Sequence, residues 1–417
     1  MKCGIISVGT ELLMGQITDT NAVYASEHLR SLGIDVIYRY TVGDNTERLK
    51  KTIKNAFTEC DILISIGGLG PTEDDLTKET FCEVMGVPLY RDEKTMMELE
   101  DNARQHQKVL TDNNYKQALL PEGAVIFYNG AGTAPGFAVE KDDKIFICMP
   151  GPPREFISMW ENGVEDYLKK LGNGEIYFRV IRLFGKGESV IETDLIDLID
   201  NQTDPTIATY AKEGECTIRV ASKHTDPEEA RRKVDDMTEI ICQREKDYVY
   251  TIDDEPLVMI VGRKLLEKHL SISCCESCTG GMFASLLTSV PGISEVFDRG
   301  LVTYTYNAKM NELGVKEETL SKYTAVSRQV ADEMVTGLHK KTGSDVCVSV
   351  TGLAGPGGGT KRKPVGLVYI GCIVRGRKKI VKLNISDLGR AWIRKYATLA
   401  MYNIINRMID GEKIPPM

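Results

Sequence analysis

The stretch DILISIGGLGPTEDDLT, Asp61 to Thr77, decides how the first third of the chain folds. Its Ile-rich run reads as a strand buried on both faces, because apolar residues follow one another without polar alternation. Three glycines, Gly67, Gly68 and Gly70, end the run, and a helical period starts near Thr77. A strand passing through a glycine loop into a helix is half of a βαβ unit, so a parallel sheet is expected. Working outward, the same alternation recurs: strand in CGIISVG, helix from Asn21 to Leu32, strand from Asp35 to Val42 and helix from Thr46 to Cys60. Beyond the loop, strands at Phe137–Val139 and Lys144–Met149 lead to PGPPREF, where Pro152 and Pro153 stop the strand and a helix runs to about Leu171.

The 417 residues exceed what one hydrophobic core holds, about 250–300 residues. LGNGEI reads as a first boundary. Residues 175–252 then pattern as a small α+β unit, with a helix over Glu188–Ile199, a strand over Cys216–Ala221 and a helix over Pro227–Arg244. After the joint at Asp253–Pro256 a second α/β alternation begins, with a strand over Ile272–Cys275, the next over Gly300–Tyr306, and others over Asp345–Val350 and Val365–Val374. The expected domains are 1–172, 173–254 and 255–417.

Hydrophobic and charged fractions of 42% and 27% are ordinary globular values and argue against disorder. Fifty-two Lys plus Arg against 60 Asp plus Glu leave a net charge of −8, which opposes attraction to nucleic acid or anionic membrane. The leading apolar run is too short for a signal-peptide core, and no stretch reaches the ~20 apolar residues of a spanning helix. A cytoplasmic protein is expected, and the 11 scattered cysteines read as reduced thiols rather than a disulfide framework.

Two constellations carry chemistry. In the first, the loop Gly67–Gly70 lets backbone N–H groups approach an anion, and the following helix terminus favours phosphate. Glu73, Asp74 and Asp75 would repel that phosphate unless a divalent cation lay between them. Read blandly, the loop is a turn whose aspartates cap a helix. Two more loops past predicted strands, GTELLMGQITDTN (Gly9–Asn21) and NGAGTAPG (Asn129–Gly136), shift the balance, since open α/β sheets gather ligands at the carboxyl ends of their strands. Gly43-Asp44-Asn45 reads as an ordinary turn.

The motifs GTELLMGQITDTN, VGDN, GGLGPTEDDLT, NGAGTAPGF and MPGPPREF closely resemble the first domain of the CinA family. The resemblance implies a three-layer α/β domain similar to molybdopterin-binding folds, and a metal-dependent pyrophosphatase that splits ADP-ribose into AMP and ribose 5-phosphate. Matched motif by motif, Gly68, Gly70, Thr72, Asn129, Gly132 and Gly151 would bind the substrate. Asp75, with Asp74, Glu11 and Asp44, would hold a divalent ion (Mg, Co or Mn), with K+ as a possible second cation.

In the second constellation, the strand ending at Cys275 runs into CESCTGG, which places Glu276, Ser277 and Cys278 on a strand-to-helix turn with a helix expected near Thr279. A hydroxyl or thiol there is exposed at the sheet edge, with helix N–H groups for an oxyanion; the dull alternative is that Ser277 is a helix cap. Cys275 and Cys278 have half-zinc-site spacing, but no second CxxC or close His pair completes four ligands. Cys278 with Glu276 as a nitrilase-like pair stays open. The five histidines, His28, His106, His224, His269 and His339, lie in predicted helices or polar loops, and only His269 and His339 fall in this domain, distant from its glycine-rich turns. A base must come from elsewhere, and Lys309 or Tyr304 in TYTYNAK is available if desolvated; the plain reading of Lys309 is a surface lysine. TGLAGPGGGTKRKPVG supplies a glycine loop and three cations suited to a phosphate.

ESCTGG, VTY with the downstream lysine, AVS and TGLAGPGGGTKRKPVG resemble the CinA C-terminal domain, which implies deamidation of nicotinamide mononucleotide to the nicotinate mononucleotide and ammonia, without a cofactor. That resemblance makes Ser277 the nucleophile, Tyr304 and Lys309 the proton-handling pair, and Thr351 with Gly352 ligand or oxyanion contacts. Glu276, Gly280, Gly281, Gly355, Lys363, Arg390 and Arg394 are the remaining substrate contacts. Tyr306 and Gly389 depart from the family pattern. The middle unit resembles a KH module, yet 175–250 holds 11 basic against 17 acidic residues and its GKGE turn is no GxxG clamp, so an RNA role is not expected. A structural spacer supporting a homodimer is. The competing functions are a molybdopterin-like binding domain without hydrolysis, and a competence or recombination accessory protein.

Overall fold

The computed structural model describes residues 1–105, 107, 109–171, 176–212, 214–224 and 226–417; His106 and most of the boundary segment LGNGEI lie outside the described residues. The chain divides into two compact units, Met1–Tyr177 with Lys223–Ala230, and Phe178–Ser222 with Arg231–Met417.

In the first unit a six-stranded sheet runs in the order Asp35–Val42, Lys2–Val8, Ile62–Ile66, Lys144–Met149, Gly136–Lys141, Val125–Phe127. The first four strands are parallel, and the last two add antiparallel pairs. The central strand explains the unbroken apolar run. Ile62, Ile64 and Ile66 enter one core with Phe156 and Trp160, while Leu63 enters the opposite core with Phe81 and Phe146. Asp19 and Asn45 cap the helices Thr20–Ser31 and Thr46–Phe57 by accepting from Ala22 N and Arg48 N. All four parallel strands, and the returning Val125–Phe127, end at one sheet edge.

The middle segment forms a four-stranded sheet ordered Thr206–Lys212, Glu215–Lys223, Ile176–Phe184, Val249–Thr251, with antiparallel pairing at both edges. The helix expected over Glu188–Ile199 breaks at Leu195 into Glu188–Asp194 and Ile196–Asp200. The expected spacer packs within the second unit. Phe184 is buried in the same core as Leu257, Ile393 and Ala397, and Arg407 donates to Val249 O at 2.8 Å.

The C-terminal sheet is ordered Phe297–Val302, Ile272–Glu276, Val346–Gly352, Leu367–Val374, Arg377–Asn384, parallel across its first three strands and antiparallel beyond. Two boundaries differ from the sequence reading. The strand expected to reach Tyr306 stops at Val302, and a helix Tyr306–Leu313 begins because Thr305 caps it, its hydroxyl accepting from Ala308 N at 3.1 Å. The β-branched and aromatic run VTYTY masked that cap. The helix expected near Thr279 starts only at Met282, because Gly280 and Gly281 first take φ of +61° and +95°.

Candidate active site

Ser277 leaves the end of its strand with its amide bonded to Val350 O at 3.1 Å. The neighbouring strand is held alongside by Thr303 N on Glu276 O at 2.8 Å, so the next helix brings Lys309 to the serine. Lys309 Nζ donates to Ser277 Oγ at 3.0 Å, to Thr303 O at 2.7 Å and to Tyr304 O at 3.3 Å. The amine is fully buried, and that desolvation pulls its pKa down from 10.5 to about 8. A lysine in this state is neutral often enough near neutrality to take a proton from a hydroxyl.

Glu276 has a different task from ligand contact. Its buried carboxylate accepts from Gly281 N at 3.0 Å, Phe283 N at 3.2 Å and Ala284 N at 3.0 Å, capping the helix with charge-assisted bonds. These helix amides are therefore spent. Among the described residues the amides of Cys278 and Thr279 meet no backbone acceptor. Cys278 is buried, which pushes its thiol up to about 12 and makes it a poor thiolate source; Cys275 is fully buried too. In the Glu276–Cys278 pair the carboxylate is thus engaged by helix amides and the thiol is held protonated.

Around this dyad stand groups from distant sequence. Arg390 donates to Tyr304 Oη at 2.9 Å and to Gly355 O at 2.8 Å, and Arg394 donates to Thr279 O at 2.7 Å. Tyr304 therefore meets Lys309 through its carbonyl, while its hydroxyl belongs to the arginine. Thr351 is buried, its hydroxyl bonded to Ala325 O at 2.8 Å; Gly352, at the end of that strand, has no room for a Cβ beside Val368. Lys363 departs from the expected phosphate role: its ammonium is taken up by Tyr323 O, Thr324 Oγ1 and Val326 O, which ties down the turn at 323–326. Sequence reasoning missed Thr279 and Thr303, whose buried hydroxyls, like Arg394 Nε, have no partner among the described residues. Only their neighbours in the motif could have signalled them.

In the first unit the loops meet in a cleft of about 410 Å³. Glu11, Asp44, Gly68, Gly70, Thr72, Asp74, Asp75 and Gly151 all line it, so every one of these expected residues comes together there. Gly68 holds φ +71°, with Thr77 Oγ1 where a Cβ would stand. Asn129 and Gly132 line an adjoining cavity instead; Asn129 is a wall fastening, donating to Ala134 O at 2.9 Å and Glu155 Oε2 at 2.7 Å. Gln117 was invisible in the sequence. It lines the cleft from a separate segment, is buried, and its Oε1 has no partner among the described residues.

The acidic groups are partly committed. Asp75 accepts from Thr72 N at 3.0 Å and from the Thr72 hydroxyl, and Asp44 from Thr10 N at 3.0 Å and Thr10 Oγ1 at 2.8 Å. Hydrogen bonding from Thr72 also lowers the pKa of Asp74. Among the described residues no three His, Cys, Asp or Glu side chains gather as a protein-only metal cage. An all-oxygen set offering one or two carboxylates nevertheless fits a hard divalent ion that completes its shell with phosphate oxygens and water.

Family descriptions match three consecutive stretches: "Probable molybdopterin binding domain" over residues 4–170, "Damage-inducible protein CinA KH domain" over 178–251 and "CinA C-terminal domain" over 254–409. A Clostridium acetobutylicum protein named "Putative competence-damage inducible protein" is 46% identical over 98% of this chain and 99% of its own. A "CinA-like protein" of Dictyoglomus turgidum is 45% identical over the same shares. Among solved structures, the competence/damage inducible protein CihA from Agrobacterium tumefaciens shares 38% identity over 37% of this chain and 97% of its own, with a TM-score of 0.36.

Proposed function

The chain belongs to the CinA family, and on that premise we propose that it is a two-site hydrolase: a serine amidase acting on nicotinamide mononucleotide in its C-terminal part, and a metal-dependent pyrophosphatase acting on ADP-ribose in its first unit. One contact carries the first half of this reading, the 3.0 Å approach of a buried, pKa-depressed Lys309 to Ser277 Oγ.

In that reaction Ser277 Oγ attacks the carboxamide carbon while neutral Lys309 takes the hydroxyl proton. The oxyanion is met by the amides of Cys278 and Thr279. Lys309 then gives the proton to the amide nitrogen, the C–N bond breaks, ammonia leaves, and an acyl-serine remains. Water attacks the ester with Lys309 again as base, which releases the nicotinate mononucleotide and restores the serine. Arg390 and Arg394 bind the phosphate, and the Arg390–Tyr304 bond orients that arginine. Ammonia release measured for the wild type and for Ser277→Ala tests this reading: release from the wild type, lost in the variant, is expected.

In the first unit Asp74 and Asp75, with Glu11 and Asp44, would hold the divalent ion, whose chemistry is charge neutralisation of the diphosphate; K+ would be a further cation. The loop amides bind phosphate oxygens, and Gln117 Oε1 accepts from the attacking water or a ligand hydroxyl. AMP formation from ADP-ribose with added Mg²⁺ or Mn²⁺ tests it. The match over 4–170 equally supports a domain that binds a molybdopterin-like ligand without cleaving it, and absence of AMP would favour that reading. We further propose a homodimer in the cytoplasm. Among the described residues no helix is long and apolar enough to cross a membrane.

A further inference from the structure

Beside the phosphate cleft lies a second cavity of about 510 Å³, sharing Thr133 with it; Asn129 of its lining donates to Glu155 of the cleft's. Its lining differs in kind: hydroxyls and amides from Ser158 and Asn162, the phenol of Tyr128, and the carboxylates of Glu98 and Asp101, with no lysine or arginine among the described residues. Among the described residues the nearby cations are Lys94, 3.5 Å over the Tyr128 ring and 4.0 Å from Glu98, and Arg104, 3.1 Å from Asp101. These are exposed helix pairs, which screen the carboxylates weakly. A second observation marks the wall: the helix after PGPP widens into a π-turn over Trp160–Val164, and Asn162 sits on it, with Nδ2 on Ser158 O at 2.7 Å. Such bulges recur at functional sites because they re-aim side chains.

Resting on the diphosphate reading of the cleft, we propose that this cavity is the subsite for the uncharged, hydroxyl-bearing terminus of the substrate, a ribosyl or comparable polyol group. Carboxylates and amide oxygens accept from vicinal hydroxyls. The lining offers mainly neutral acceptors and ion-paired carboxylates, which suit hydroxyls, whereas the diphosphate finds its free N–H donors in the neighbouring glycine loops. The subsite sets which diphosphates are good substrates by gripping the group beyond the anhydride.

The test uses the full chain with Mg²⁺ and compares kcat/KM for ADP-ribose with that for ADP, which carries the same anhydride but nothing beyond it. Both Ser158→Leu and the double variant Glu98→Gln/Asp101→Asn should lower the ADP-ribose to ADP ratio by about tenfold, through KM, the value of losing a hydrogen bond to a charged or well-placed partner. An unchanged ratio in both variants would overturn the subsite. A shift instead in the ratio of ADP to GDP hydrolysis would put the base there and overturn it as well. If the wild type cleaves neither compound, the reading of the cleft fails. ADP-ribose and AMP binding by calorimetry, on the same variants, then decides the subsite alone: weakened ADP-ribose binding with AMP binding kept supports it, and equal effects on both refute it.

Discussion

Lys309 offers the sharpest handle on the amidase, because its role depends on being neutral. Burial brings its pKa to about 8. The neutral, proton-accepting fraction is then about one-tenth at pH 7 and about nine-tenths at pH 9. Raising the pH fills the active form, so kcat/KM for ammonia release from nicotinamide mononucleotide should climb about tenfold between pH 7 and pH 9 and then level off. An ordinary lysine at 10.5 would instead keep gaining about tenfold per pH unit through pH 9 with no plateau. Lys309→Met should cost on the order of 10³-fold at pH 8, since the hydroxyl loses its base. The assay is initial-rate ammonia release across pH 6.5 to 10 under saturating and limiting substrate. A flat profile, or a Lys309→Met variant with near-normal rates, would refute the claim that this amine takes the serine proton.

Three further outcomes follow from the geometry. Ser277→Ala should abolish ammonia release while Cys278→Ala retains most of it, because the buried thiol is held protonated; the opposite pattern in the same assay would move the nucleophile to sulfur. Glu276→Gln should lower the thermal midpoint, since three helix amides lose a charged acceptor, a change of about 1–3 kcal/mol followed by circular dichroism. Asp75→Ala should remove metal-dependent AMP formation from ADP-ribose and leave ammonia release intact, and unaltered metal dependence would take that carboxylate out of the site.

Much of the scaffold was legible because its signals are local. The Ile62–Ile66 run, the glycines after it and the Pro152-Pro153 stop each act within a few residues, so strands and loops fell near their observed places. The boundaries that moved, at Val302 and Met282, did so where a single cap or a pair of left-handed glycines overrode propensity. Glu276 and Lys363 show the harder failure. Both have the right chemistry in the right motif, yet one is consumed by helix amides and the other by the carbonyls and hydroxyl of a turn.

By itself the amino-acid sequence determined the α/β alternation, the family and the glycine loops that frame two sites, since periodicity and short motifs are written in neighbouring residues. Only the tertiary structure decided which candidates are free to act. The desolvation of Lys309, its 3.0 Å reach to Ser277 and the arrival of Gln117 in the cleft arise from segments far apart in the chain, and burial and hydrogen-bond competition exist only once those segments pack.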